Sequence, residues 1–268
     1  MRRPSPPSFK SLIDFAHLAA DRSREVTLPY FRKPLTVDNK APGSLFDPVT
    51  IADRKAEKTI TGLIKKKFPD HGFTGEEYGG YQEDARYRWL IDPIDGTRSF
   101  IMGAPLWGTL IGLLDHGEPL LGMMDQPFTG ERFWTGRDVA YTRTRDGKTR
   151  RLKTRSCARL SDAVLTSTHP DLFAPGAEAD GFRRLQDKAR MTRFGGDCYA
   201  YCLLAAGFVD LVVETGLNAF DVVALIPIIE RAGGRFTSWE GKPATHGGRI
   251  IAAGDARVHE EAMRILAR

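Results

Sequence analysis

The stretch Trp89-Leu-Ile-Asp-Pro-Ile-Asp-Gly-Thr-Arg-Ser-Phe100 constrains this chain more than any other part of it. Residues 89–91 read as a short buried strand that runs directly into two aspartates three positions apart. Pro93 between them has no N–H to donate and a fixed φ, so it stiffens the turn and lets both carboxylates point into one space. Gly96 then allows the backbone to approach a ligand closely. If a helix starts at Gly96-Thr97, its unpaired amides form an anion site beside the carboxylates. Two hard carboxylates next to an anion cradle match what magnesium with a phosphate ester requires. Taken alone, Asp-x-x-Asp also reads as an ordinary turn or cap, because Asp favours such places for local reasons.

Two further acidic positions belong with this stretch. Gly75-Glu76-Glu77 follows a turn and Phe73, and by itself reads as an acidic loop or a helix start. Phe220-Asp221 opens an apolar helix, and by itself Asp221 reads as an N-terminal cap. Residues 9–32 and 50–68 keep apolar residues at helical spacing, with Pro34 stopping the first. Residues 107–114 and 120–124 form a hairpin across Asp115-His-Gly-Glu118, and 132–134 and 139–142 read as further strands. The first half is therefore expected to be helices followed by an antiparallel sheet. The second half alternates: strand 163–167, helices 182–189 and 199–206, strand 208–213, helix 222–232 interrupted at Pro227, strand 249–253 and helix 256–266. Alternation of this kind argues for an α/β layered half. The expected division is residues 1–150, helices plus an antiparallel sheet that contains Glu76, Asp92 and Asp95, and 151–268, the α/β half that contains Asp221. The two halves are read as one compact unit, with the boundary in a charged loop near 145–160.

With 268 residues and 41% hydrophobic composition, a sizeable core is available, and 27% charged residues exclude wholesale disorder. The net charge of +5 is not carried by a long basic block. Its densest cluster, residues 143–155, is interrupted by Gly and Thr and reads as a solvated loop. A mildly basic surface also suits the steering of an anionic substrate. Three cysteines make a disulfide framework the wrong reading and favour a reducing compartment. Cys198 and Cys202 would share a helix face, but two thiols without a nearby His or further Cys do not make a zinc site. The Pro-rich start, Met1-Arg-Arg-Pro-Ser-Pro-Pro-Ser8, is expected to fray and has no apolar signal core after it. No stretch approaches the ~20 apolar residues of a membrane span, so a cytoplasmic protein is expected.

Taken together and in this order, the acidic positions resemble the inositol-monophosphatase-like phosphatases. The resemblance runs from about Asp47 to Gly241. It is carried by Asp47-Pro-Val-Thr-Ile-Ala-Asp53, Gly75-Glu-Glu77, Asp92-Pro-Ile-Asp-Gly-Thr97, and Phe220-Asp221 followed by Glu230-Arg-Ala-Gly-Gly234. It implies an α+β fold, a layered α-β-α-β-α sandwich of the sugar-phosphatase type, and a magnesium-dependent phosphomonoesterase acting as a homodimer. It further implies that Glu76, Asp92 and the Ile94 carbonyl hold one magnesium, and that Asp92, Asp95 and Asp221 hold a second. A third, looser ion is implied near Glu76, giving two to three per site. Thr97 and Asp53, with Glu76, are the implied catalytic residues, the Thr97–Asp53 dyad orienting and deprotonating the attacking water. The amides of Gly96 and Thr97 are the implied phosphate binders. Many members have Trp where Phe220 stands and x-Asn-Phe where Arg98-Ser99-Phe100 stands; neither change removes a ligand.

Substrate choice is read from Arg193-Phe-Gly-Gly-Asp-Cys-Tyr199. With Thr97-Arg-Ser-Phe100, this pattern resembles the histidinol-phosphate phosphatase branch, which makes histidinol in histidine biosynthesis. Histidinol phosphate carries an ammonium and an imidazole, whereas inositol phosphate carries only hydroxyls. An acidic Asp197, with Glu214, suits that ammonium in a partly desolvated pocket, and Arg193 is read as a holder of phosphate or an organiser of the pocket. Asp221 is also counted among the substrate-binding residues. The alternatives are Asp197 as a helix cap and Arg193 as a surface residue, with inositol or another polyol phosphate as substrate. A reading from a different class is an RNA- or transcription-complex-binding regulator, for which residues 143–155 are the only feature in favour. The intact set of acidic residues argues against it, so nucleic acid is not the expected partner.

Overall fold

The computed structural model describes residues 6–40 and 48–267. Residues 1–5 of the Pro-rich start, where fraying is expected, and Asp47, which opens the Asp-Pro-Val-Thr-Ile-Ala-Asp stretch, lie outside the described residues.

In chain order the first part comprises α1 (Phe9–Thr27), β1 (Val37–Asn39), β2 (Pro48–Thr50), α2 (Ile51–Lys67), β3 (Gly72–Gly75), β4 (Gly79–Tyr81), β5 (Tyr87–Asp95), α3 (Thr97–Met102), β6 (Gly108–Asp115), β7 (Glu118–Gln126), β8 (Glu131–Thr135), β9 (Ala140–Arg143) and β10 (Thr149–Arg151). The second part comprises β11 (Val164–Ser167), α4 (Ala177–Lys188), β12 (Met191–Phe194), α5 (Asp197–Ala205), β13 (Leu211–Leu217), α6 (Ala219–Val222), α7 (Leu225–Arg231), β14 (Arg235–Ser238), β15 (Gly248–Ala253) and α8 (Ala256–Leu266). Among the described residues, β3 to β10 form one sheet in the order β10-β9-β8-β7-β6-β5-β3-β4. A second sheet runs β12-β11-β13-β15-β14, and β1 pairs with β2.

Strand periodicity makes the layers. Successive side chains of a strand point to opposite faces, so Trp89 and Ile91 of β5 and Ile111 and Leu113 of β6 pack under Leu12, Phe15 and Ala16 of α1 and Ile60 and Ile64 of α2. Leu90 and Leu110 face the other way, onto Cys198, Tyr201 and Cys202 of α5 and Ile228 of α7. The same central layer takes Val212, Ile250 and Ala252 from the second sheet. The far face of that sheet, Leu211, Val213, Ile251 and Ala253, is covered by Phe182 and Leu185 of α4 and Val258 and Ala262 of α8. The result is the expected α-β-α-β-α sandwich. Gly112 and Gly122 are direct partners across β6 and β7. A Cβ on Gly122 would lie 1.8 Å from the Ala224 carbonyl oxygen, and one on Gly112 would lie 2.8 Å from Val223 Cγ1. The paired glycines therefore let the junction between α6 and α7 rest directly on the sheet, which fixes where Asp221 stands.

Several local expectations are corrected. The first sheet is mixed, because β3 runs parallel to β5. The first helix ends at Thr27 and passes into a short 3-10 turn, Leu28–Tyr30. Pro227 does not break a helix: it lies in the first turn of α7, where its missing N–H has no intrahelical acceptor to lose. The break falls instead at Val223-Ala224. The basic segment 143–155 is not all loop, since it contains the edge strand β10 and the buried Leu152. β12 and β14 are short strands absent from the sequence reading. All three cysteines are free and buried, and no helix among the described residues is long and apolar enough to cross a membrane.

Candidate active site and metal centre

A cleft of about 440 Å3 opens where the ends of β5 and β13 meet the first turns of α3, α5 and α6. Asp92, Asp95 and Asp221 bring one carboxylate oxygen each to within 4.8 Å of one another. The Asp-Pro-Ile-Asp stretch stays in strand β5, and the register against β6 slips between Asp92 and Asp95. Such a bulge re-aims the side chains around it. Asp92 Oδ1 accepts the Ile94 N–H at 3.0 Å, and Asp95 Oδ1 accepts the Cys198 N–H at 2.8 Å from the start of α5.

Asp221 and Asp53 are held by one local device. Each is the third residue of a helix whose capping residue lies three positions earlier. Asp221 Oδ2 accepts the Asn218 N–H at 2.6 Å, and Asp53 Oδ2 accepts the Thr50 N–H at 2.9 Å and the Thr50 hydroxyl at 2.5 Å. One oxygen completes the capping box and the other is left for the site. For Asp53 that second oxygen, Oδ1, lies 3.5 Å from Thr97 Oγ1, which is also 3.1 Å from the Ile94 carbonyl. A single hydroxyl proton serves one of these acceptors at a time.

Glu76 reaches the cluster through strand register. Gly75 pairs with Ile91, and the Glu76 N–H continues the ladder to the Ile91 carbonyl at 3.2 Å, which sets Glu76 beside Asp92. Lys40 Nζ stands 2.6 Å from Glu76 Oε1 and 3.0 Å from Glu77 Oε1. Behind them Glu57, fully buried on α2, accepts the Glu77 and Tyr78 N–H groups at 2.7 and 3.0 Å. Lys40 and Glu57 were missed by the sequence reading, and Glu77 was named within Gly75-Glu-Glu77 without a role. Glu57 left a usable signal, since it lies four residues after Asp53 on the buried face of a helix. Lys40 left none.

The electrostatics favour a cation. Burial pushes the Asp92 carboxyl well above the usual range, and Glu76, Asp95 and Asp221 push it further. Asp95 is likewise raised, by burial and then by Asp197 and Asp221. Asp221 is raised to about 7 by burial, against the pull of the Asn218 amide. Burial draws the Lys40 ammonium down, but Glu76 and Glu77 beside it more than reverse this and the net shift is upward. Like charges gathered out of water are costly unless neutralised. An all-oxygen, carboxylate-rich donor set suits a hard divalent ion such as Mg2+, so the residues present fit the metal that the motif implies.

The other site residues named from sequence divide into two groups. Ile94, Gly96, Thr97, Asp197 and Glu214 all line the cleft. Glu214, 3% exposed, accepts the Thr168 N–H at 2.7 Å and the Tyr201 hydroxyl at 2.8 Å. Arg193 does not join them. It is exposed on the edge strand β12 and is not among the residues that line the cleft.

Residues 9–268 match the inositol monophosphatase family. The chain is 45% identical to a chloroplastic protein of Arabidopsis thaliana named bifunctional phosphatase IMPL2, over 92% of this chain and 72% of that protein. It is 35% identical to a histidinol-phosphatase of Mycobacterium tuberculosis, over 91% and 93%. Among solved structures it is similar to an inositol monophosphatase from Zymomonas mobilis. The TM-score there is 0.86 and the identity 40%, with 98% of this chain and all of that one covered.

Proposed function

The chain belongs to the inositol monophosphatase family of metal-dependent phosphomonoesterases, and from that premise we propose that it hydrolyses histidinol phosphate to histidinol and phosphate, a step of histidine biosynthesis. Asp92, Asp95 and Asp221, with Glu76 and the Ile94 carbonyl, would hold two to three Mg2+. When bound, these ions supply Lewis acidity toward water and toward the phosphate oxygens. Thr97 orients the attacking water, and Asp53 Oδ1, behind the Thr97 hydroxyl, takes the proton that Thr97 alone is too weak a base to hold. The Gly96 and Thr97 amides donate to the phosphate oxygens. Unaided phosphate monoesters hydrolyse extremely slowly, so positioning and charge neutralisation must act together.

The observation that carries the substrate reading is Asp197. Asp197 lines the same cleft as the acidic cluster, so an ester bound at that cluster meets a further acidic side chain. A neutral polyol offers that carboxylate only hydroxyls, and charge-assisted hydrogen bonds are about twice as strong as neutral ones. Glu214 adds a second anionic wall, with each oxygen already accepting one hydrogen bond and keeping a lone pair for substrate. The resemblance to a histidinol-phosphatase over most of both chains supports the same choice. An inositol phosphatase is the second reading, favoured by the likeness to the Zymomonas mobilis protein.

The test is magnesium-dependent phosphate release from histidinol phosphate, inositol 1-phosphate and a nucleotide monophosphate, compared by kcat/KM. A preference of about a hundredfold for histidinol phosphate, worth ~2.7 kcal/mol of differential transition-state binding, is expected. Comparable rates on all three would reduce the activity to that of a broad phosphomonoesterase.

A further inference from the structure

Asp197 is an unusual residue to find where it stands. It is the first residue of α5 and has φ 43°, in the left-handed region that a residue with a side chain adopts at a cost. It is also packed tightly: a Cβ on Gly96 would lie 3.1 Å from Asp197 Cβ. The next amide in the chain, Cys198 N–H, is committed to Asp95. The backbone at 197 is thus fixed on both sides, by the Gly96 turn and by a carboxylate of the acidic cluster. Backbone position alone does not fix the side chain. The Arg98 guanidinium acts on the Asp197 carboxylate, and Asp95 of the acidic cluster feels its charge.

One contact removes that freedom. Ser99 Oγ donates to Asp197 Oδ2 at 2.8 Å. Ser99 is buried in the first turn of α3 and is not itself a wall of the cleft. The bond joins the Arg98-Ser99-Phe100 segment to the Gly196-Asp-Cys-Tyr199 segment, the two stretches from which the substrate was read. We propose that Ser99 is a positioning residue for substrate selection: it holds the Asp197 carboxylate in one orientation on the cleft wall, where it meets the ammonium of an amino-bearing phosphate ester. The inference rests on the histidinol phosphate reading and adds a residue that touches no substrate.

The test combines two single variants, S99A and D197A, with the double variant. Each is assayed for kcat and KM on histidinol phosphate and on inositol 1-phosphate at saturating Mg2+, and titrated calorimetrically with L-histidinol. S99A is expected to lower the preference for histidinol phosphate about tenfold, mainly through KM, a change equivalent to ~1.4 kcal/mol. D197A is expected to abolish the preference. In the D197A background S99A should not alter the ratio further, because the hydroxyl then has no carboxylate to hold. L-histidinol should bind the wild type most tightly, then S99A, then D197A. Equal losses on both esters when S99A is made in the wild-type background would mark Ser99 as a purely structural residue and overturn the proposal, as would a further change of the ratio when S99A is added to D197A. An S99A ratio equal to that of the wild type would do the same. A wild type with no preference overturns the substrate reading and this inference with it. That result is read from the wild-type rates alone, and so is separate from a failure confined to S99A.

Discussion

Glu57 offers a demanding test of how the site is built, because it touches neither metal nor substrate. Its carboxylate sits fully buried and accepts the N–H groups of Glu77 and Tyr78. Gly75 is pressed against it, since a Cβ there would lie 2.1 Å from Glu57 Oε1. Burial pushes the Glu57 carboxyl up and the two amides pull it back. Glu57→Ala removes two hydrogen bonds to a charged acceptor, each worth about 1.5–3 kcal/mol. Relief of the buried charge offsets part of that, leaving a net loss of about 2–4 kcal/mol. For a chain of this length, about 2 °C per kcal/mol places the fall in Tm at roughly 4–8 °C. The turn released is the one that carries Glu76, so the Mg2+ concentration for half-maximal activity should rise by about tenfold, as for other residues that orient metal ligands. Scanning calorimetry with and without Mg2+, together with a Mg2+ activation curve, measures both effects. A Tm within about 1 °C of wild type with an unchanged activation curve would refute the reasoning.

Asp92→Asn and Asp221→Asn should each abolish Mg2+-dependent turnover, by about 10³-fold or more in kcat/KM, while circular dichroism reports an intact fold; retained activity in both would remove these residues from the centre. Arg155 pairs with Asp210, which is 1% exposed and also accepts the Val164 N–H at 2.7 Å. Arg155→Ala should therefore cost about 2–4 kcal/mol in urea unfolding by leaving that carboxylate uncompensated; a loss below about 0.5 kcal/mol would make the pair a surface ornament. Burial holds His71 down at about 4, and its Nδ1 accepts the Trp89 indole N–H at 3.1 Å. The unfolded chain takes up that proton first, so this contribution is complete above about pH 6.5 and is lost as pH falls toward 4. His71→Gln keeps an acceptor without a titrating ring, and the stability difference from wild type should change by about 2–3 kcal/mol across that window; a flat difference would show that His71 does not titrate there.

How much of this could be read from sequence depended on how local the cause was. The helices α1 and α2 declare themselves through apolar spacing, and the hairpin of β6 and β7 through its turn, because each signal lies within one segment. Asp92, Asp95, Glu76 and Asp221 were legible as a set because their spacing and neighbours resemble a family, although only the fold brings them together. The capping boxes at Asp53 and Asp221 explain why the cap reading and the site reading were both available: each carboxylate does one job with each oxygen. β10 was hidden because an exposed edge strand carries charge in place of alternation, a pattern that also discourages edge-to-edge pairing. The break at Val223-Ala224 was hidden because its cause lies across the sheet, in Gly112 and Gly122. Glu57 stood at a legible place on the buried face of α2, but its partners are 20 and 21 positions away, and the contacts of Lys40 and the Ser99–Asp197 bond span 36 to 98 positions, which no local pattern encodes. Arg193 was read from its place in a motif either as a holder of phosphate and organiser of the pocket or as a surface residue, and it is exposed on β12.

The central claim, that the carboxylates of β5 and α6 form the metal centre of a phosphomonoesterase, is tested most directly by diffraction. Crystals grown with Mn2+ in place of Mg2+ would be measured at a wavelength where manganese scatters anomalously. Peaks are expected in contact with Asp92, Asp95 and Asp221 and with Asp92 and Glu76, and they should vanish in Asp92→Asn. A map with no peak at those carboxylates, or with manganese held by residues elsewhere, would contradict the claim.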